Sequence, residues 1–230
     1  MSELRRGPDD VVEALERGVD DPASRKRDPW ASPPRSGGFE LDAPELLTGD
    51  ERFRGAELSL AGFWTWAFGD LAVNITRSRL AEFLVARSLR DPRPMREEWA
   101  DYDVLTPDGV RIEVKSAAYL QRWRQWKPSV IRFSGFSGRS WDPHTGCFAE
   151  ERSIRADVFV FAVQTCLEPA AYDPFDVGQW AFYVVSADSV ARYGYRSANL
   201  AWVQRAAGSA VGYADLPAAV NVVHGKASTS

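Results

Sequence analysis

Two carboxylates and a lysine fall within one short stretch of this chain, and residues of these types can hold a divalent metal against a phosphodiester. The stretch runs from Trp99 to Tyr119 and reads WADYDVLTPDGVRIEVKSAAY. It contains Asp103 and the triplet Glu113-Val114-Lys115, the only Asp/Glu-x-Lys sequence in a chain whose residues are 26% charged. Paired carboxylates suit Mg²⁺, and a lysine beside them can offset charge that builds up on phosphorus.

A β-hairpin is predicted to bring these groups together. Residues 100–106 and 110–116 alternate in polarity, as half-buried strands do. Pro107-Asp108-Gly109 between them suits a three-residue hairpin loop, because proline sets the first turn position and glycine tolerates the left-handed one.

The loop also fixes the register of the two strands. It pairs Thr106 with Val110, and counting outward places Asp103 opposite Glu113, with Cβ atoms about 5 Å apart. Like charges at this separation repel each other, so the pairing is expected to need a cation. A register shifted by one residue would put the two carboxylates on opposite faces of the sheet.

A third acidic group lies before the hairpin. Residues 74–90 have helical spacing, and Glu82 leans toward the packed side because apolar residues follow it at i+3, i+4 and i+7. A carboxylate at such a boundary needs a partner or a bound cation. The alternative to a cation is an ion pair with Arg79 or Arg87.

The order of these residues resembles the PD-(D/E)xK superfamily of restriction-endonuclease-like nucleases. It places Glu82 on a helix, Asp103 on a strand and, after a turn, Glu113-x-Lys115 on the next strand. It is similar to the Holliday-junction-resolvase-like and type II restriction-enzyme-like branches, and the resemblance covers residues 74–120. The chain departs from the motif at Tyr102, which stands where the motif has a proline before the first aspartate, a proline that many members of the superfamily also lack.

The resemblance implies an α/β fold, with a mixed central β-sheet flanked by helices in a restriction-endonuclease-like core. It also implies hydrolysis of phosphodiester bonds in DNA with Mg²⁺, or with Mn²⁺ in its place, in restriction, phage defence or repair. The implied metal ligands are Glu82, Asp103, Glu113 and the carbonyl of Val114. Asp101, on the same face as Asp103, is the alternative ligand.

The resemblance also implies catalytic roles for two further residues. Lys115 would orient or deprotonate the attacking water, beside the catalytic acids Glu82, Asp103 and Glu113. Gln121, or Ser116, would hold that water or a substrate phosphate. For both of these polar residues an ordinary hydrogen bond is the alternative.

The segment after the hairpin is basic, although the whole chain has a formal charge of −4. From residue 111 to 139 there are seven basic residues and one acid, interleaved with aromatic residues. Basic side chains neutralise phosphates, and aromatic rings stack on unpaired bases. The candidate nucleic-acid contacts are Arg111, Arg122, Arg124, Lys127 and Arg132. In the alternative, Trp123 and Trp126 belong to the core and the arginines only cover them.

The remaining sequence predicts one nuclease-like domain over residues 43–215. Residues 1–42 are dense in Pro, Gly, Ser and charge, which predicts a disordered or loosely attached arm. Residues 216–230 are predicted to be a mobile tail. The apolar stretch over 56–72 predicts a helix that belongs to the core or to a dimer face, so a homodimer is a candidate assembly.

Two later apolar runs predict strands. Residues 157–163 form a continuous apolar run of strand length, and residues 180–185 form another, followed by a helix from about 187. Asp157 opens the first of these strands and is expected to cap the strand end.

Cysteine and histidine content excludes several classes of protein. Two cysteines and no long apolar run near the start predict a cytoplasmic protein without a signal peptide or a membrane anchor. His144-x-x-Cys147 is half of a zinc spacing without a partner half. The chain has no GxSxG, GxxxxGK[ST] or GxGxxG motif, so hydrolase, NTPase and dinucleotide functions lose their usual support.

Two rival functions stay open. The fold could serve as a catalytically silent subunit that binds nucleic acid or supports an assembly. The chain could also be an interaction domain with no nucleic-acid role, which would be favoured if the basic face over 111–139 proved buried or neutralised.

Overall fold

The computed structural model of the chain describes residues 45–142 and 145–227, so the predicted arm over 1–42 and His144 lie outside the described residues. Within them, the α-helices are α1 (Leu60–Phe68), α2 (Asn74–Ser88), α3 (Ala187–Tyr193), α4 (Leu200–Ala207) and α5 (Leu216–Ala227). The strands are β1 (Val104–Leu105), β2 (Arg111–Ala118), β3 (Arg132–Ser134), β4 (Trp141–Asp142), β5 (Cys147–Phe148), β6 (Val158–Gln164), β7 (Trp180–Ser186) and β8 (Ser197–Asn199).

The central sheet has the strand order β1-β2-β6-β7. β1 pairs with β2 antiparallel, β2 with β6 parallel and β6 with β7 antiparallel, so the sheet is mixed. Helices flank it on both faces, which confirms the predicted α/β class. Two small antiparallel ladders, β3 with β8 and β4 with β5, lie outside the central sheet.

The apolar run of β6 explains why this strand is interior. Every residue of Val158–Gln164 is buried. On one face of the sheet, Val158 and Val160 join a cluster with Val85 of α2 and Leu216 of α5. On the other face, Phe159 and Phe161 pack with residues of α3 and α4. A strand covered on both faces reads as continuous apolar sequence rather than as alternation.

The hairpin has the predicted register. Val104 lies opposite Ile112, and the Thr106 N–H donates to the Val110 carbonyl over 3.0 Å. Gly109 has a φ of +85°, as the last residue of the loop requires. β1 is shorter than predicted, because regular pairing begins only at Val104.

The helix α1 excludes one of its two predicted locations, and residues 216–227 differ from their prediction. None of the residues of α1 is buried, so this aromatic helix is not part of the core, and Trp66 is 85% exposed. The predicted mobile tail from residue 216 instead forms α5, whose residues Leu216 and Val220 are buried against the sheet.

No helix within the described part of the chain is long and apolar enough to cross a membrane. Cys147 and Cys166 are free thiols.

Candidate active site

Asp103 and Glu113 lie close together at the edge where β1 begins, and the charge of Glu113 acts on Asp103. Asp103 directly precedes the Val104–Ile112 pair, the outermost pair of the β1–β2 ladder, and Glu113 directly follows that pair on β2. The Asp103 N–H donates to the Ile112 carbonyl over 3.0 Å, and Oδ2 of Asp103 accepts a hydrogen bond of 2.8 Å from the Val114 N–H. Both carboxylates line a cleft of about 250 Å³, here called the acidic cleft, whose walls also include Asp101, Gly135, Phe136 and Arg155.

Burial and neighbouring charge both act on Asp103. Burial, followed by the carboxylates of Glu113 and Glu82, raises the pKa of Asp103 to about 7, against the lowering effects of the Val114 N–H and Lys115. The ionised form of Asp103 is therefore costly without a nearby positive charge. A bound cation would remove that cost.

Lys115 lies on the same face of β2 as Glu113. Its Nζ is 2.5 Å from Oε1 of Glu113, and both side chains are only partly exposed. Gly135, with a φ of +75°, lies against this amine: a Cβ at that position would be 3.7 Å from Nζ. The ammonium thus lies beside Glu113 and Gly135, two residues that line the acidic cleft.

Glu82 approaches Asp103 from α2 but is held by arginines. Its Oε2 is 3.2 Å from Nη1 of Arg79 and 2.5 Å from Nε of Arg96. The pair with Arg79 is the alternative that the sequence left open. Because two guanidinium groups engage Glu82, its position does not support a direct bond to a metal.

Two carboxylate oxygens at this edge are open to a divalent cation. Oδ1 of Asp103 and Oε2 of Glu113 accept no hydrogen bond from the described residues. The Val114 N–H faces Asp103, and the N–H and C=O of one strand residue point to the same side, so its carbonyl faces this edge as well. Within the described ranges, no three His, Cys, Asp or Glu side chains lie close enough together to hold a metal ion. Two carboxylates, one carbonyl and water form a donor set that suits Mg²⁺.

A buried ion pair that the sequence did not indicate braces this edge. Nη2 of Arg93 is 2.7 Å from Oδ2 of Asp91 and donates to the Asp103 carbonyl over 2.8 Å. The Leu105 N–H donates to the same Asp91 oxygen over 3.0 Å. Burial raises the pKa of Asp91, but the hydrogen bonds from Arg93 and Leu105 outweigh it and hold this pKa below its usual value. Through its hydrogen bond to the Asp103 carbonyl, this ion pair fixes the backbone of Asp103.

Gln121 is not brought to the acidic cleft. Its Oε1 accepts from Nη2 of the buried Arg77 over 2.9 Å, and its Nε2 donates to the Ala118 carbonyl over 2.8 Å. The predicted catalytic role is therefore replaced by the alternative, an ordinary hydrogen bond. Ser116 is similarly engaged, with its Oγ 3.1 Å from Oγ of Ser78.

Asp101 lines the acidic cleft with Asp103 but is already partnered. Its carboxylate accepts from Ser140 Oγ at 2.7 and 2.8 Å and lies 3.2 Å from Nη1 of Arg155. Asp103, which faces Glu113 and keeps a free oxygen, is the better placed ligand of the two.

The basic segment divides into paired and unpaired residues. Arg111 is bound to Asp157, with 2.6 Å between Nη2 and Oδ1, and Arg122 is bound to Asp70, with 2.5 Å between Nε and Oδ2. Asp157 thus pairs with a neighbouring strand rather than reaching the acidic cleft. Arg132 is exposed at the start of β3.

Two tryptophans of this segment face solvent, which contradicts the alternative that they belong to the core. Trp126 is 87% exposed and Trp123 is 59% exposed. The guanidinium of Arg124 lies 4.6 Å from the centre of the Trp126 ring. These tryptophans line a cleft of about 450 Å³, here called the tryptophan groove, with Leu120, Arg122, Lys127, Leu167 and Tyr172.

A family model described as bacteriophage T4 endonuclease IV matches residues 68–200, which is more than half of the chain. The match spans α2, the hairpin, the basic segment and β7. Searches of curated proteins and of solved structures found no match.

Proposed function

The chain belongs to the bacteriophage T4 endonuclease IV family, and we propose that it is a metal-dependent DNA endonuclease with its active site at Asp103, Glu113 and Lys115. The observation that carries this proposal is the half-buried Asp103, which lies beside Glu113 in the acidic cleft and has a pKa raised to about 7. Such a pair is costly to keep ionised in the protein alone, and a cation would stabilise it.

Asp103, Glu113 and the Val114 carbonyl would hold the cation, Mg²⁺ or Mn²⁺. When bound, the ion supplies Lewis acidity and lowers the pKa of a bound water. Asp103 and Glu113 each offer one oxygen that accepts no hydrogen bond from the described residues, so neither has to break a hydrogen bond first. The order of acids and lysine along the helix and hairpin supports assignment to the PD-(D/E)xK superfamily.

Lys115 would act on the attacking water and on the phosphate. Its amine already lies 2.5 Å from Glu113, so it is positioned beside the proposed ligand set. As a donor of up to three hydrogen bonds it can orient a water and offset charge on a non-bridging oxygen.

Substrate would be held by the exposed part of the basic segment. Arg124, Lys127, Trp123 and Trp126 combine positive charge with open aromatic faces at the tryptophan groove. This combination suits a phosphate backbone and bases that stack. The exposure of these residues also disfavours an interaction domain with no nucleic-acid role. The homodimer and the cytoplasmic location stay predictions.

The test is nicking of supercoiled plasmid with Mg²⁺ or Mn²⁺, compared between wild type, Lys115→Ala and Arg87→Ala. Arg87 lies on α2 over the ring of Phe83, forms no ion pair within the described part of the chain, and serves as the charge-loss control. Cutting should fall by about 10²- to 10⁴-fold in Lys115→Ala while DNA binding is kept, and Arg87→Ala should cut like wild type. A wild-type protein that binds DNA but never cuts with either metal would instead identify a catalytically silent subunit.

A further inference from the structure

We infer that Arg96 is an internal counter-cation of the active site: its guanidinium lies between Glu82 and Asp103 and competes with a metal for Asp103. The inference rests on the proposed metal-dependent function. It assigns Arg96 as a positioning residue that sets the affinity of the site for its cation.

The geometry places one guanidinium between acids from two different elements. Nε of Arg96 lies 2.5 Å from Oε2 of Glu82, on α2, and Nη2 lies 3.8 Å from Oδ1 of Asp103, just before β1. Nη1 lies 2.6 Å from Oε2 of Glu98. Arg96 therefore takes the place at which a positive charge is needed between Glu82 and Asp103.

The contact with Asp103 involves the oxygen that a metal would use. Oδ2 of Asp103 is held by the Val114 N–H, so Oδ1 is the oxygen left for a ligand. At 3.8 Å from Nη2, Oδ1 is attracted by Arg96 without a hydrogen bond to it. A cation at Oδ1 would therefore meet a like charge a few ångströms away, and this repulsion lowers its affinity.

Arg96 is also placed to move away. Its side chain is 31% exposed, and Glu98, its other partner, is 64% exposed. Arg79 pairs with both Glu82 and Glu98 by itself, at 3.2 and 3.0 Å, so these two acids keep a partner when Arg96 leaves. Asp103 alone would lose its nearby guanidinium, and the incoming cation would replace it.

The experiment compares Mn²⁺ binding to the full-length protein without DNA, by isothermal titration calorimetry, in wild type, Arg96→Gln and Arg87→Gln. Both variants lose one positive charge near α2, but Arg87 contacts Phe83 rather than an acid. Arg96→Gln should bind Mn²⁺ roughly 5- to 10-fold more tightly than wild type, as expected for removal of one nearby like charge. Arg87→Gln should match wild type.

Two further measurements keep the inference testable if Arg96→Gln does not fold properly. Arg96→Lys keeps the charge but loses the planar fork, so its Mn²⁺ affinity should lie between those of wild type and Arg96→Gln. Mn²⁺ should raise the melting temperature of Arg96→Gln more than that of wild type, since the metal replaces the lost counter-charge.

The outcomes separate this inference from the proposed function. Equal Mn²⁺ affinity in wild type and both Arg96 variants would overturn the role of Arg96 and leave the metal-dependent nuclease standing. Absence of Mn²⁺ binding in every protein, together with absence of cutting, would overturn both.

Discussion

The Val114 amide donates to Oδ2 of Asp103 over 2.8 Å, so a carboxylate takes the place that a backbone carbonyl would hold in a longer strand. Side chains of aspartate compete with the backbone in this way near the ends of regular elements. Because this carboxylate replaces a backbone acceptor, regular pairing of β1 begins only at Val104. The second carboxylate oxygen of Asp103, Oδ1, stays open toward Arg96. The same hydrogen bond from Val114 thus both shortens β1 and orients Asp103 so that Oδ1 is available to a ligand.

Asp103 should make the metal-free protein less stable as pH rises. Its pKa is raised to about 7 in the folded chain, so the folded state holds this proton more tightly than the unfolded state does. The stabilising effect of that proton is present below about pH 4 and is lost as the pH rises to about 7. Between pH 5 and pH 8 the loss should be about 2 kcal/mol, measured by urea unfolding in EDTA.

Asp103→Asn should remove this part of the pH dependence, because the amide oxygen can still accept from Val114 but no longer titrates. Glu150→Gln, an exposed substitution, should keep it. A wild-type protein that gains stability over the same pH range, relative to Asp103→Asn, would contradict the assignment.

Metal binding should strengthen with pH through the same group. A ligating carboxylate must lose its proton, so below about pH 7 the apparent Mn²⁺ affinity of wild type should fall by up to about tenfold per pH unit. Calorimetry at pH 6, 7 and 8 measures this slope. An affinity that is flat from pH 6 to pH 8 would mean that the buried acid is not a ligand.

Arg93→Ala should unfold more easily than any exposed arginine variant. Its loss leaves the carboxylate of Asp91, which is 4% exposed, without its ion-pair partner and removes the hydrogen bond to the Asp103 carbonyl. Breaking a buried pair in this way costs about 3 kcal/mol or more. Thermal melts of Arg93→Ala and Arg87→Ala provide the comparison, and equal melting temperatures would show that the brace carries no stability.

Trp126→Ala should weaken DNA binding without changing the metal affinity. Stacking of a base on an exposed ring contributes about 1–3 kcal/mol, so affinity should fall by roughly 5- to 100-fold. Trp66→Ala is the matched control, because Trp66 on α1 is 85% exposed and Trp126 is 87% exposed. Fluorescence anisotropy with a labelled oligonucleotide at fixed salt measures both; equal losses would show that the tryptophan groove does not contact DNA.

The hairpin could be predicted from sequence because its determinants are local. The turn residues lie next to one another, and register follows from the turn by counting, so the predicted pairing is confirmed as far as Val104 with Ile112. Regular pairing stops before Asp103, whose N–H donates to the Ile112 carbonyl. Burial of the run over 157–163 was equally readable, since a strand covered on both faces is apolar throughout.

The partners of the acids could not be predicted in the same way. Arg93 and Arg96 lie in an irregular loop without periodicity, and the residue-type pattern gives no hint of which carboxylate each arginine reaches. Arg79, three residues before Glu82 on one helix, was within reach of a local rule. Gln121 was misplaced because its neighbour Arg77 is 44 positions away in the chain.

For α1 the predicted helix is present, the core alternative is wrong for a related reason, and the dimer face stays a prediction. Apolar composition indicates that a helix can be buried, but burial needs a partner element, and among the described residues none covers Trp66. Residues 216–227 were predicted to be mobile, but Leu216 and Val220 pack against the sheet beside α2.

The part of β2 from Glu113 to Ala118 separates the proposed cleavage site from the tryptophan groove. The five steps from Glu113 to Ala118 span about 16 Å, and the tryptophan groove begins just past that end. Stacked nucleotides advance about 3.4 Å each, so a strand gripped at the groove and cut beside Glu113 reaches over about five nucleotides. Under the proposed function, we expect shorter oligomers to contact either the groove or the cleavage site but not both, and therefore to be cut less efficiently.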